Sequence, residues 1–249
     1  RVGGLAALVA ALLFRRNWGA EYVLLRSFGV IGVGPTTVPQ TAGDWFALLE
    51  SHRFIGLILL NLFDVVNYAL VGVILLALYA ALRRTSPGAA AIALSSGLIG
   101  VAVYLSSNQA LDMLSLSQRY AAVATDSERA VLLSAGEALL AVDNPASAFG
   151  GTGSYISLLL VSVAGVVMAA AMLRSRVFNR ATAYVGLVAE GAQLSFFVVL
   201  AAAPALIGLP PSIAGLFRLA WYVMIGRQLL QLGNVGRQVR PLSEGEKAR

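Results

Sequence analysis

The sequence predicts an all-α fold, a polytopic membrane helix bundle of about six transmembrane helices with short extracytoplasmic interfacial helices. Three observations predict it. Hydrophobic residues make up 58% of the chain and charged residues only 12%, whereas soluble domains carry roughly 25% charged residues to cover their surface. The apolar residues are gathered into runs close to the ~20 residues that cross a hydrocarbon core. Those runs show no alternating strand pattern, and backbone groups in lipid must bond within their own segment, so helices are the form they take.

The first segment, residues 2–14, runs up to Arg15-Arg16 and reads as the end of a first membrane helix, short unless residues precede Arg1. A signal-peptide core would be followed by a small-residue cleavage site, and none follows. The second segment, residues 54–82, is interrupted by Asn61, Asp64 and Asn67. The third, residues 89–105, carries Gly97 and Gly100, small enough to let helices approach closely. The fourth is residues 155–173. The fifth, residues 181–209, carries Glu190 and Gln193; the sixth, residues 213–232, carries Arg218, with Trp221-Tyr222 expected to pack between helices.

Two long connections remain, residues 15–53 and 106–154, and loops of that length usually hold structure of their own. Residues 41–52 read as an amphipathic helix opened by Thr41, with Trp45 suited to a membrane interface. Residues 126–142 read as a second such helix. Its Asp126 and Glu128 lie where the helix dipole favours negative charge, and Ala130, Leu133, Ala138 and Leu140 form part of an apolar stripe. Asn108, Gln109, Asp112, Ser115, Ser117, Gln118 and Arg119 belong to a half-buried helix or line an extracytoplasmic pocket, the first being preferred. Residues 149–154, FGGTGS, read as a flexible joint. An extra crossing through residues 22–38 is the less favoured alternative, because Arg26 and Pro35 fall inside it.

Charge sets the expected orientation. Arginines cluster at Arg83-Arg84, at Arg174, Arg176 and Arg180, and at Arg237 and Arg240, while the turn at residues 210–212 is uncharged. Basic residues resist translocation, so these turns and the tail, residues 233–249, belong in the cytoplasm. The expected place is the cytoplasmic membrane of a bacterium. Arg15, Arg16 and Arg26 then fall outside, in mild conflict. The net charge of +6 is thereby accounted for without nucleic acid as a partner. The expected partners are membrane lipids and another membrane protein or a second copy of the chain.

The absent residue types exclude chemistry. With no Cys there is no disulfide or thiolate site. Lys247 is the single Lys and His52 the single His, which argues against a Schiff base in the bundle, bis-histidine haem, a His-rich metal site or a Ser–His hydrolase. No cofactor and no metal are expected. Gly29, Gly32 and Gly34 follow no predicted strand, so they signal no nucleotide loop. A faint likeness between residues 80–100 and 171–191 is what any two membrane hairpins would share.

What remains are the intramembrane polar residues. Asp64 has Asn61 one turn before it and Asn67 and Tyr68 one turn after, near one helix face. Glu190 and Gln193 repeat that spacing. Such groups are costly in lipid and face the bundle interior or water. The candidate ligand- or proton-binding residues are therefore Asp64, Asn61, Asn67, Glu190, Gln193 and Arg218. The alternative is a set of interhelical hydrogen bonds that only holds helices together. Arg218 is expected to pair with Asp64, whose depth it matches better than that of Glu190, or to snorkel to the interface.

The helix at residues 61–82 ending in LYAALRR, the hairpin MLRSRVFNRATAYVGLVAEG at residues 172–191 and WYVMIGRQLLQLG at residues 221–233 resemble an uncharacterised bacterial membrane family known as domain of unknown function 4386. The likeness spans roughly residues 41–233. It implies about six membrane helices and carries no activity, cofactor or catalytic residue. Three functions follow, in order of preference: a non-catalytic binding or accessory protein, a small transporter or ligand receptor with a polar cavity around Asp64 and Glu190, and a lipid-acting intramembrane enzyme.

Overall fold

The computed structural model describes residues 1–17, 39–145 and 151–246, with backbone alone at 14–17 and 234–246. The alternative crossing at 22–38, its glycines and Lys247 lie outside the described residues, among which there is no strand. The helices are α1 (Val2–Asn17), α2 (Ala42–Ser51), α3 (Arg53–Leu59), α4 (Leu62–Leu82), α5 (Pro87–Ser107), α6 (Ala110–Ala122), α7 (Asp126–Val142), α8 (Thr152–Arg174), α9 (Arg180–Ala202) and α10 (Leu209–Glu246). Five stretches are long and apolar enough to cross a membrane: Leu62–Leu82, Pro87–Ala122, Thr152–Arg174, Arg180–Ala202 and Pro204–Gly233. The first expected segment is α1, whose apolar part, Val2–Leu13, is shorter than the ~20 residues a crossing needs.

The structure corrects several boundaries. The segment expected at 54–82 is two helices, broken at Asn61, which has φ 62°. Asn is among the few residues that tolerate this left-handed conformation. The fifth segment stops at Ala202 rather than 209, because Pro204 excludes Ala203 from the helical region (φ −148°). The expected turn at 210–212 is the first turn of α10, where Pro210 and Pro211 give up N–H groups that have no helical partner anyway. α10 continues through Glu246, so the start of the expected tail is helical. Of the joint expected at 149–154, residues 149 and 150 lie outside the described residues, and Thr152, Gly153 and Ser154 are the first turn of α8.

Two compact units can be distinguished. The first holds Arg1–Phe14, Ala69–Val101 and Leu158–Arg249. Its helices meet on small residues. A methyl group at Gly97 of α5 would lie 2.4 Å from Leu75 and 3.1 Å from Ala164, and one at Gly4 of α1 would lie 2.9 Å from the Gly226 carbonyl of α10. Close approach of this kind brings dispersion contacts where lipid tails offer no hydrophobic gain. Leu78, Met168, Met172 and Ile225 are fully buried there.

The second unit holds Arg15–Tyr68 and Ala102–Ser157. Its core packs Trp45, Phe46 and Leu49 of α2 with Leu60, with Ala110 and Met113 of α6 and with Leu140 of α7. Trp45, expected at a membrane interface, is 0% exposed: the apolar face of α2 is spent on neighbouring helices. α7 begins and ends where expected, but its buried line runs through Leu132, Gly136 and Leu140. Ala130 and Ala138 are exposed, because the four-residue spacing that continues to Leu140 selects a different face. α6 is the half-buried helix, with Ala110, Met113 and Ser117 inward.

The start of α2 is closely tied. Thr41 Oγ1 accepts from the Asp44 amide at 3.2 Å, the Thr41 amide donates back to Asp44 at 3.3 Å, and Glu137 of α7 accepts from the Ala42 amide at 2.7 Å. The Thr41 hydroxyl and amide hold the Asp44 carboxyl below its ordinary range, against a small opposing effect of burial. At the end of α7, Asp143 accepts from the Gly151 amide and the Ser154 hydroxyl at 3.3 and 3.4 Å.

Candidate functional site

The site in the first unit is built from the α9–α10 pair. Asn179 caps α9, accepting from the Thr182 amide at 2.8 Å and its hydroxyl at 2.6 Å. Thr182 Oγ1 in turn accepts from Gln228 Nε2 of α10 at 2.7 Å. This link sets α9 and α10 in register at one end. Glu190 follows ten residues after Arg180, about 15 Å along the axis.

There Glu190 meets Arg218. Arg218 Nε donates to Oε1 at 2.8 Å and Nη2 donates to Oε2 at 2.7 Å. The side chains are 12% exposed for Arg218 and 3% for Glu190. This is the two-pronged geometry in which a guanidinium matches a carboxylate best. Gly165 of α8 lies against the acid: a methyl group there would sit 2.5 Å from Glu190 Cγ. One turn before Glu190, Gly186 leaves room for the Trp221 ring at 2.5 Å from the same kind of built methyl, so Trp221 and Tyr222 do pack between helices. Gln193, one turn after Glu190, is 4% exposed.

The depth argument that set Glu190 aside as the partner of Arg218 is thus corrected. It placed the start of the sixth helix at 213, whereas α10 begins at Leu209 and α9 ends at Ala202. Arg218 then lies about 13 Å from the start of its helix and Glu190 about 18 Å from the end of its own at 1.5 Å per residue. The long Arg side chain closes the remainder. Asn179, Thr182, Gln228 and Gly165 were not among the sequence candidates. The spacing of Asn179 and Thr182 is a readable cap signal; the other two depend on which helices are neighbours.

The remaining candidates belong to the second unit. Asp64 lies in the first turn of α4, not at mid-helix, and its amide donates to the Asn61 carbonyl at 3.1 Å. A carboxylate at that end is favoured by the helix dipole. Asn67 is 8% exposed, and its buried Oδ1 has no hydrogen-bond donor among the described residues. Tyr68 stacks on Tyr104 of α5, ring centroids 3.8 Å apart and planes 6° from parallel. Asn108 donates to the Leu60 carbonyl at 3.3 Å, beside the Asn61 break.

The structure therefore brings Glu190 to Arg218, with Gln193 one turn on, and it places Asp64 and Asn67 one turn apart at the start of α4, directly after the break at Asn61. No curated protein and no solved structure matches the chain. A family model does match, over residues 18–232, a span that includes α9, the part of α10 bearing Arg218 and the turn bearing Asp64; the chain belongs to the family described as Domain of unknown function (DUF4386).

Proposed function

We propose that this protein is a multi-pass protein of the bacterial cytoplasmic membrane, its C-terminus in the cytoplasm, that works by binding rather than by catalysis. Its partners would be membrane lipids and another membrane protein or a second copy of the chain. The five membrane-length helices support the location, and the arginines of the turns support the orientation. The observation that carries the non-catalytic reading is the Glu190–Arg218 pair. Both carboxylate oxygens are taken by one guanidinium, α8 closes over the acid at Gly165, and the acid is almost fully buried. A group so engaged holds helices together and leaves no acid available to a substrate.

The chain has no Cys, which gives a direct test. Single cysteines at Gln193 and Asn61 are labelled in intact membranes with a membrane-impermeant thiol reagent, with Ser86→Cys and Ser212→Cys as inside and outside controls. Protection at Gln193 with Ser212→Cys labelled is the expected result. Rapid labelling at Gln193 would overturn it. A second reading, a small transporter or ligand receptor, rests on Asn67, whose buried Oδ1, one turn from Asp64, lacks a hydrogen bond among the described residues. Rapid labelling at Asn61 from one side alone would move that reading ahead.

A further inference from the structure

We propose that the cleft between the α8–α9 turn and α10 binds a phosphate-bearing anion, either the headgroup of an anionic phospholipid or free phosphate. The cleft is about 570 Å³ and belongs wholly to the first unit. Arg176 enters it from the turn and Arg227 from α10, and both are exposed. Among the described residues neither is hydrogen-bonded or ion-paired. Guanidinium groups suit phosphate because their planar donors match its oxygens in pairs.

Among the described residues no carboxylate lines the cleft. In the sequence, no Asp or Glu occurs from residue 172 to 189 or from 209 to 243. Arg174 and Arg180, exposed at the ends of the same turn, add to the positive field that concentrates anions there. The wall is also rigid. Gln228 accepts from the Asn179 amide at 3.4 Å and donates to Thr182 at 2.7 Å, which fixes the turn against α10. Phe178 and Met224 give the cleft an apolar side, as an amphiphile requires and an inorganic ion does not. Basic pockets beside membrane helices are where acidic headgroups collect. The lipid source rests on the membrane reading above; the anion site does not.

The purified full chain in dodecyl maltoside is titrated with phosphatidylglycerol and with phosphatidylcholine, retention being read by native mass spectrometry, and inorganic phosphate is added as competitor. Preferential retention of phosphatidylglycerol is expected, weakened at least about tenfold in Arg176→Gln and in Arg227→Gln, as loss of one charge-assisted bond implies. Arg83→Gln with Arg84→Gln, at another basic turn, should leave it unchanged. Equal retention of both lipids, with phosphate bound by the parent and lost in the double variant, assigns the site to free phosphate. Undiminished binding in the double variant, an equal loss in the Arg83/Arg84 variant, or no binding of any probe overturns the proposal. Both arginines are exposed, so the variants should keep the parent's helical circular dichroism. Release of the chain from membranes by alkaline carbonate would sink the membrane reading separately.

Discussion

A glutamate and an arginine stand out in an otherwise apolar stretch because each is costly in lipid unless partnered. That cost made Glu190 and Arg218 legible in the sequence as residues needing an explanation. Their pairing was not legible, since it depends on where α10 begins and on how far an Arg side chain reaches. Removing one member leaves a buried charge uncompensated, which costs about 3–5 kcal/mol where such pairs have been broken. We expect Arg218→Met and Glu190→Gln each to lower stability on that scale. The double variant should lose clearly less than the sum, the mark of two residues in direct contact. Unfolding in mixed detergent, followed by Trp fluorescence, measures all three. Additive losses would mean that the pair does not form.

Elements were more readable than pairs. The caps at Thr41, Thr125 and Asn179 are small polar residues whose side-chain oxygens accept from an amide three residues on, and the sequence shows that signal directly. Faces were less readable. On α7 the expected stripe of Ala130, Leu133, Ala138 and Leu140 follows apolar character; the structure buries Leu140 and packs Leu133 against the core, but it leaves Ala130 and Ala138 exposed and buries Leu132 and Gly136, a phase set by Ala42 and Phe46 pressing on Gly136. The α2 cap yields a pH prediction. The Asp44 carboxyl lies below its ordinary range because Thr41 bonds to it. A group with a lowered folded pKa contributes stability above its unfolded pKa and loses it as pH falls through the folded one. Thr41→Ala should therefore cost about 1 kcal/mol at neutral pH, and less at pH below the folded pKa of Asp44. Stability of parent and variant across pH 2–7 checks this; a gap that does not narrow in acid would remove Asp44 from the account.

At the scale of the whole molecule, composition was enough for an all-helical chain, because 12% charged residues cannot cover a soluble surface. It could not say which helices are neighbours, since an apolar helix surface suits lipid and protein alike. The meeting of α1 with α10 is the clearest case: a methyl at Gly226 would lie 2.8 Å from Leu8 and 3.1 Å from the Gly4 carbonyl. Gly226→Leu should accordingly cost about 1–3 kcal/mol by overpacking. Gly191→Ala, where a methyl meets nothing within 4 Å, should be neutral or slightly stabilising. Thermal unfolding in detergent separates the two, and equal effects would place the loss elsewhere than at the contact. The same contact bears on biogenesis. A ribosome making this chain finishes α1 more than two hundred residues before Gly226 emerges, so the glycine face of α1 stays without this partner for most of synthesis and is covered by α10 only late.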